Sequence, residues 1–183
     1  MIATIFKDLS KTNTPFYRDI DFIINRIKGG TSKDLINKIR LETDKTKRNL
    51  LKSQLPAICF SGKFTRRADA SITEHSGIIC LDFDNYNSDT ELSEDLNKYK
   101  KDKYSYSIFI SPSGNGFKLL VKIPQEIENH KLYFDSISEY YDNKHFDTTS
   151  KNISRICFES YDPNIFVNKK SDIWITKKEY QTY

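Results

Sequence analysis

The stretch Gly77-Ile-Ile-Cys-Leu-Asp-Phe-Asp84 decides how the rest of the chain is interpreted. Its β-branched and aromatic residues, preceded by the turn-type pair His75-Ser76, predict a β-strand. Because side chains alternate along a strand, Asp82 and Asp84 share one face and the intervening apolar residues share the other. Two carboxylates on one face repel each other, and a divalent cation between them relieves the repulsion. The simpler alternative is a strand that ends at the surface, where both aspartates are solvated.

The composition suits one domain of moderate size that can build a core. Of the 183 residues, 37% are hydrophobic and 13% aromatic, which argues against global disorder. The net charge of +4 permits a polyanionic partner without requiring one. Three cysteines in apolar runs, with no C-x-x-C pair, predict buried free thiols rather than a zinc site or disulfides. No signal-peptide core and no membrane-length apolar run is present, so we expect a soluble cytoplasmic protein without membrane association.

Residues 1–76 are predicted to form an N-terminal helical α/β module. Helices are expected over Asp19–Lys28, from an N-cap at Ser32 through Leu41, and over Asp44–Ser53. The third of these helices is basic, and a solvated helix face explains its charge better than a nucleic-acid contact. A strand at Ala57–Phe60 and a cation-bearing loop at Ser61–Arg67 follow.

Residues 77–183 are predicted to form an RRM-like or ferredoxin-like catalytic unit. The pattern gives strands at 77–84, 104–110, 117–123 and 153–158, with helices at 89–101 and 124–142. This order is βαββαβ, and the fold class is therefore α+β. Short strands at 165–167 and 173–175 finish the chain.

In the usual spatial order of this topology, four-one-three-two, strand 77–84 is central and antiparallel to both neighbours. Its C-terminal end then lies beside the turn 111–116 and the segment His145–Thr149. The face covered by helices is predicted to carry Ile79, Leu81, Phe83, Phe117, Leu119, Val121, Ile123, Ser154, Ile156 and Phe158. The opposite face is predicted to carry Asp82, Asp84, Lys118, Lys122 and Arg155.

The residues that converge at this end of the sheet suit phosphoryl transfer. Asp82, Asp84 and Asp147 suit one or two Mg²⁺ or Mn²⁺ ions. Nearby cations and the backbone N–H groups of Ser113-Gly114-Asn115-Gly116 suit a triphosphate. These are the parts of a two-metal site.

Each part also has a plainer explanation. The turn 111–116 can be only a hairpin turn, Lys118 and Arg155 can be ion-pair partners of the aspartates, and Asp147 can be a loop residue. His145 is better explained as a structural residue than as a metal ligand.

Three motifs carry a family resemblance: Leu81-Asp-Phe-Asp84, Ser111-Pro-Ser-Gly-Asn-Gly-Phe-Lys118 and Phe146-Asp147. In this order they resemble the motifs of the archaeo-eukaryotic primase (primase-polymerase) superfamily. The likeness is closest to primase-like N-terminal domains of bacterial mobile elements and phages, and it also includes the blocks Pro56–Arg67 and Ser154–Pro163.

The resemblance implies a role for each motif. Asp82, Asp84 and Asp147 would be the catalytic metal ligands, and Ser113, Gly114 and Lys118 would surround the phosphates of an incoming NTP or dNTP. Arg155 would be a further phosphate ligand, and Arg66 or Arg67 would contact the nucleotide or a single-stranded DNA template. A helicase or ATPase, as a fused domain or subunit, would be a partner. The superfamily has a histidine at the position of Lys118, which puts polymerase activity in question.

The function expected from this is metal-dependent synthesis or extension of short primers on single-stranded DNA. The main alternative is a catalytically degenerate domain that serves as a nucleic-acid-binding or replication-assembly module. An RNA-binding sheet is disfavoured because strand 117–123 presents Lys118, Leu120 and Lys122 instead of aromatic residues. A replication-initiator nuclease is disfavoured because the three histidines are scattered.

Overall fold

The computed structural model of the chain describes residues 1–176. The α-helices are α1 (Ile20–Gly29), α2 (Lys33–Leu41), α3 (Lys45–Lys52), α4 (Asp89–Lys100) and α5 (His130–Tyr141). The longer strands are β1 (Ile2–Phe6), β2 (Phe16–Asp19), β5 (Ile72–His75), β6 (Ile78–Phe83), β7 (Ser105–Ile110) and β8 (Phe117–Lys122). The short ones are β3 (Ala57–Cys59), β4 (Gly62–Phe64), β9 (Cys157–Phe158) and β10 (Phe166–Val167). No helix in this part of the chain is long and apolar enough to cross a membrane.

The helices α1, α3 and α4 begin at a residue whose side chain caps the first turn. Asp19, Asp44 and Ser88 each accept a backbone N–H with the side chain at the start of α1, α3 and α4. Gly30 ends α1 in the left-handed conformation, with φ of 79°. Ser32 stands at the start of α2, but its hydroxyl caps no backbone N–H there and instead donates to Glu159.

One sheet holds β6 and the hairpin that follows it. Its strand order is β10-β7-β8-β6 and every pairing is antiparallel, with Asp82 opposite Lys118 and Phe83 opposite Phe117. The apolar face of β6 and β8 packs against α4 and α5, where Tyr99 and Phe134 are almost completely buried. The predicted helix-covered face is therefore confirmed for these two strands.

A second sheet, of order β2-β1-β3-β9, lies against the other face of the first one. Ile58 and Phe60 share a core cluster with Leu120 and Phe109 of the first sheet and with the buried face of α1. Most of the face that carries Asp82 and Asp84 is thereby covered, and these two residues lie where the covered part ends. The strands β4 and β5 form a separate hairpin.

The spatial order predicted for the RRM-like unit is wrong in its fourth strand. β9 pairs with β3 of the second sheet, so β6 is an edge strand rather than the central one. Contacts just before β9 explain this, because the Ser61 hydroxyl donates to the Ile153 carbonyl and Ser154 donates to the Asp69 carboxylate. The predicted helix-covered face also fails for this segment: Ile156 and Phe158 pack in clusters with residues of the N-terminal part. The fold class α+β is confirmed, whereas the RRM-like arrangement is not.

Two further boundaries differ from the prediction. The segment from Pro124 to Asn129 forms turns, and α5 begins only at His130. The Glu126 carboxylate accepts hydrogen bonds from Asn129 and from the Tyr133 hydroxyl, which holds these turns against the first turn of the helix. The predicted strand at 173–175 is reduced to a single bridge between Ile173 and Lys122. The part of the predicted second unit at 177–183 lies outside the described residues.

Candidate active site

The three predicted carboxylates are brought together by backbone pairing at the free edge of β6. The Asp84 N–H donates to the His145 carbonyl and the Asp147 N–H donates to the Asp82 carbonyl, each at 2.9 Å. These bonds flank an antiparallel bridge between Phe83 and Phe146. Residues directly opposite in such a pair share a face, so Asp147 lies beside Asp82 on the face that also carries Asp84.

An acidic cavity of about 420 Å³ lies on this face. Its lining includes Asp82, Asp84 and Asp147 together with Asn85, Lys144 and His145. The structure therefore places the three carboxylates of the sequence prediction around one volume.

Only one of the two carboxylate oxygens of Asp82 has a partner in the described chain. Its Oδ2 forms an ion pair with Lys118 Nζ, and the two side chains are only 19% and 13% exposed. Its Oδ1 is buried and accepts no hydrogen bond from any described residue. Burial alone would lower the pKa of Lys118, but the attraction of Asp82 outweighs it and raises that pKa. Lys118 is thus a firmly charged ammonium at the site.

Both carboxylate oxygens of Asp147 accept hydrogen bonds. Its carboxylate accepts hydrogen bonds from the Thr149 hydroxyl at 2.6 Å, from the Ser150 hydroxyl, and from Arg155 Nη2 at 3.0 Å. Partial burial raises its pKa, but these hydrogen bonds and Arg155 outweigh burial and lower the pKa overall. The carboxylate is therefore ionised and already has partners for its negative charge.

A basic cavity of about 220 Å³ is also lined by Asp82 and Asp84. Its cationic and polar lining comes from Asn49, Lys52, Ser111, Ser113, Lys118 and Arg155. Two of these residues, Asn49 and Lys52, are contributed by α3. Asp82 and Asp84 line both cavities, so an anionic volume and a cationic volume meet at these two residues.

A family model described as BT4734-like, N-terminal domain, matches residues 50–166, which is more than half of the sequence. The chain belongs to this family. None of the curated proteins and none of the solved structures with which the chain was compared matches it.

Membership of the BT4734-like family corrects the resemblance drawn from the motifs. The matched segment contains all three motifs, yet the family is not a primase family and nothing in the comparisons leads to the primase superfamily. The order and spacing of short Asp-x-Asp, Gly-x-Gly and Phe-Asp elements are therefore not specific to primases.

Within the BT4734-like segment, the turn 111–116 is built for close backbone approach. A Cβ on Gly116 would lie 2.3 Å from the Phe83 carbonyl oxygen, and Gly114 has φ of 84°. The Asn115 carbonyl accepts the Tyr86 N–H. Of the predicted phosphate-binding turn, only Ser113 is among the described residues that line the basic cavity, and Gly114, Asn115 and Gly116 shape the turn.

Arg40 of α2, outside the BT4734-like segment, holds this turn in place. Its Nη2 donates to the Tyr161 carbonyl at 2.9 Å and to the Ser111 carbonyl at 3.3 Å, and its side chain packs over Gly114. Burial lowers the pKa of this guanidinium, and the attraction of Asp162 opposes that effect. No motif in the sequence distinguishes Arg40 from the other cations of α2.

Other predicted contacts are not brought to the site. Arg66 bonds to Ser71 and the Arg67 N–H bonds to the Thr12 carbonyl, and neither residue is among those of residues 1–176 that line the two cavities. Lys122 donates to the carbonyls of Lys169 and Ser171.

His145 positions the carboxylate-bearing edge. Its two ring nitrogens lie 3.1 Å from the Asp84 carbonyl oxygen and 3.0 Å from Glu91 Oε1, and its ring stacks on Tyr86 with centroids 3.9 Å apart. Hydrogen bonds from Lys144 and His145 lower the pKa of Glu91 to about 2. These contacts fit the structural role expected for this histidine.

A magnesium ion at this site would have Asp82 and Asp84 as its carboxylate ligands. Mg²⁺ is commonly held by one or two carboxylates together with water and substrate phosphates. Asp82 and Asp84 suit this arrangement, since Asp82 Oδ1 is buried and lacks a partner in the described chain. No group of three or more His, Cys, Asp or Glu side chains within residues 1–176 is arranged to hold a metal. A third ligand from Asp147 would have to displace one of the hydrogen-bond donors that already occupy both oxygens of that carboxylate.

Proposed function

We propose that the chain is a metal-dependent nucleotidyltransferase that uses an NTP or dNTP to synthesise or extend short primers on single-stranded DNA. The observation that carries the proposal is that Asp82 and Asp84 line both an acidic cavity and a basic cavity. Nucleotidyl transfer needs this combination, because carboxylates hold the metal while cations hold the phosphates.

The basic cavity supports binding of the triphosphate. Lys118 and Arg155 are fixed cations at its border, and the Ser113 side chain lines it. Arginine suits bidentate contact with phosphate, and lysine acts as a point charge. Ions at the carboxylates would neutralise charge on the transferred phosphoryl group.

The attacking hydroxyl would enter through the acidic cavity. Asp82 and Asp84 line it and also line the basic cavity, so a primer terminus that entered here would lie near the two carboxylates that border the phosphate site. The net charge of +4 is compatible with a nucleic-acid partner.

The test is incorporation of labelled NTPs and dNTPs on single-stranded DNA with Mg²⁺ or Mn²⁺. Asp82→Asn and Asp84→Asn should reduce incorporation at least 100-fold, whereas Asp34→Asn, at an exposed position of α2, should leave it unchanged. Activity that survives in both site variants would rule out these carboxylates as the metal-binding residues.

A second candidate is a binding module that does not turn over its nucleotide. It is favoured by the two ion pairs, Lys118 with Asp82 and Arg155 with Asp147, which balance two carboxylates without any metal. Such a module would serve nucleic-acid binding or the assembly of a replication complex with a helicase or ATPase. Nucleotide binding by the wild type, without incorporation under any metal condition, would favour this candidate.

A further inference from the structure

Lys52 stands apart from the other cations of the basic helix α3. Lys45 and Lys47 are exposed, whereas Lys52, in the last turn, is half-buried and lines the basic cavity with Asp82 and Asp84. The solvated helix face expected from the sequence therefore applies to the first part of α3 and not to its end.

Charges of both signs surround Lys52, and none of them forms an ion pair with it in the described chain. Burial lowers the pKa of this lysine, Asp84 and Asp82 oppose that effect, and Arg48 and Lys118 reinforce it. Lys52 forms no ion pair within residues 1–176, although carboxylates lie nearby. Its three N–H donors are therefore available to an anion that enters the cavity.

A second and independent observation concerns Ser111 in the same cavity. This residue is only 3% exposed, it lines the cavity, and its hydroxyl has no hydrogen-bond partner among the described residues. A buried hydroxyl without a partner costs free energy, so a site that leaves one unpaired is suited to a ligand that supplies the bond.

We propose that Lys52 is a phosphate-binding residue of this site, which approaches the polyphosphate of a nucleotide from α3, with the Ser111 hydroxyl as an additional donor. The inference rests on the proposed function and adds residues that the motifs do not contain. Three cations, Lys52, Lys118 and Arg155, surround the volume, and this number suits a ligand with several negative charges. Because Asp82 and Asp84 would repel a bare anion, the ligand expected is a polyphosphate complexed with a divalent metal.

The arrangement explains why the N-terminal helices accompany the β6–β8 sheet. Lys118 belongs to β8 and Lys52 to α3, so the phosphates would be held between the sheet and the helix rather than on the sheet alone. Binding would then depend on the packing between these two parts of the chain.

The experiment is calorimetric titration of the full chain with inorganic triphosphate in the presence of Mg²⁺. Lys52→Ala should weaken binding roughly 10- to 100-fold, the range for loss of a charge-assisted hydrogen bond. Lys52→Arg should retain most of the affinity, and Lys47→Ala, from the exposed face of the same helix, should bind as the wild type does. Thermal unfolding should be similar for all four proteins, which separates ligand binding from a merely structural role.

The outcomes distinguish this inference from the proposed function. Equal triphosphate affinity in the wild type and Lys52→Ala would overturn the role of Lys52, even if nucleotide incorporation is observed. Loss of affinity in Lys52→Ala but not in Lys47→Ala would support it, even if no incorporation occurs and the transferase proposal falls. A wild type that binds no triphosphate at millimolar concentration would overturn the inference as well.

Discussion

Lys118 and Asp82 face each other across β8 and β6 and form a largely buried ion pair, while the second oxygen of Asp82 has no partner within the described chain. The pair therefore satisfies the charge of the carboxylate but not its full hydrogen-bonding capacity. An aspartate in this state is held in place and can still accept one more ligand.

Lys118→Met should destabilise the protein by about 2–4 kcal/mol, because removal of one partner leaves an uncompensated carboxylate in a poorly solvated place. Urea denaturation measures the change in the free energy of unfolding. The double variant Asp82→Asn/Lys118→Met should regain at least half of the loss, since neither charge then remains. A double variant less stable than Lys118→Met would show that the ion pair is not the reason for the effect.

Stability should fall between pH 6.5 and pH 5 because of a buried histidine pair. The Gly77 N–H donates to His75 Nδ1 at 2.9 Å, so His75 Nε2 carries the proton toward His130 Nδ1, 3.0 Å away. Burial lowers the pKa of His75 to about 4, and burial and the neighbouring His75 lower the pKa of His130 to about 3. Between pH 6.5 and pH 5 these two histidines take up protons in the unfolded chain, where their pKa is about 6.5, but stay neutral in the folded chain. Lowering the pH over this range therefore favours unfolding.

The expected decrease in the free energy of unfolding from pH 7.5 to pH 5 is roughly 2–4 kcal/mol, since the stability is present in full at pH 7.5 and is lost as the pH falls. Urea denaturation at both values measures it, and NMR titration of the two imidazole rings should show them neutral at pH 5. Folded-state rings that titrate near pH 6.5 would contradict the prediction.

Gly116→Ala should destabilise the fold by more than about 2 kcal/mol, because a Cβ would lie 2.3 Å from the Phe83 carbonyl oxygen and force β6 and the turn apart. Gly29→Ala is the matched control, since an added Cβ there meets nothing within 4 Å in the described chain. That variant should be neutral or stabilising by up to about 1 kcal/mol. Thermal unfolding compares the two, and a similar effect at both glycines would refute the close contact.

Glu159→Ala should be strongly destabilising, by about 3–5 kcal/mol, because this fully buried carboxylate accepts two hydrogen bonds from Arg26 and one from the Ser32 hydroxyl. Its removal leaves a guanidinium without its partner where α1 and α2 meet the segment after β9. Glu74→Ala, which breaks the exposed pair with Lys63, should cost less than about 1 kcal/mol. Chemical denaturation measures the free energy of unfolding of both variants, and equal decreases in the two would contradict this prediction.

The sequence predicts the β6–α4–β7–β8 portion well because its signals are local. Alternation in β6, the Ser88 cap of α4 and the glycine-containing turn each act over a few residues. These signals also place Asp82 and Asp84 on one face. The proximity of the segment His145–Thr149 to these aspartates is predicted only from the βαββαβ topology, whose fourth strand lies in the other sheet, and the bridge between Phe83 and Phe146 is not predicted.

The partner of β9 and the position of Lys52 depend on contacts between segments that are distant in the sequence. The two-residue strand β9 has no pattern that selects its partner, and its pairing with β3 follows from bonds made by Ser61 and Asp69. The sequence does not distinguish Lys52 from the other lysines of a basic helix, and only the packing of α3 places it in a cavity that Asp84 also lines. The motifs likewise do not fix the family, since the segment that contains them matches the BT4734-like model.

The pairing of β9 with β3 has a consequence for the order of folding. Three strands of the second sheet are complete by Cys59, but the fourth is supplied by Cys157 and Phe158. During synthesis, one edge of β3 therefore remains unpaired until almost a hundred further residues have left the ribosome. A nascent chain that stalls before this point exposes a hydrogen-bonding edge to other chains, so interrupted translation is where aggregation of this protein should be sought.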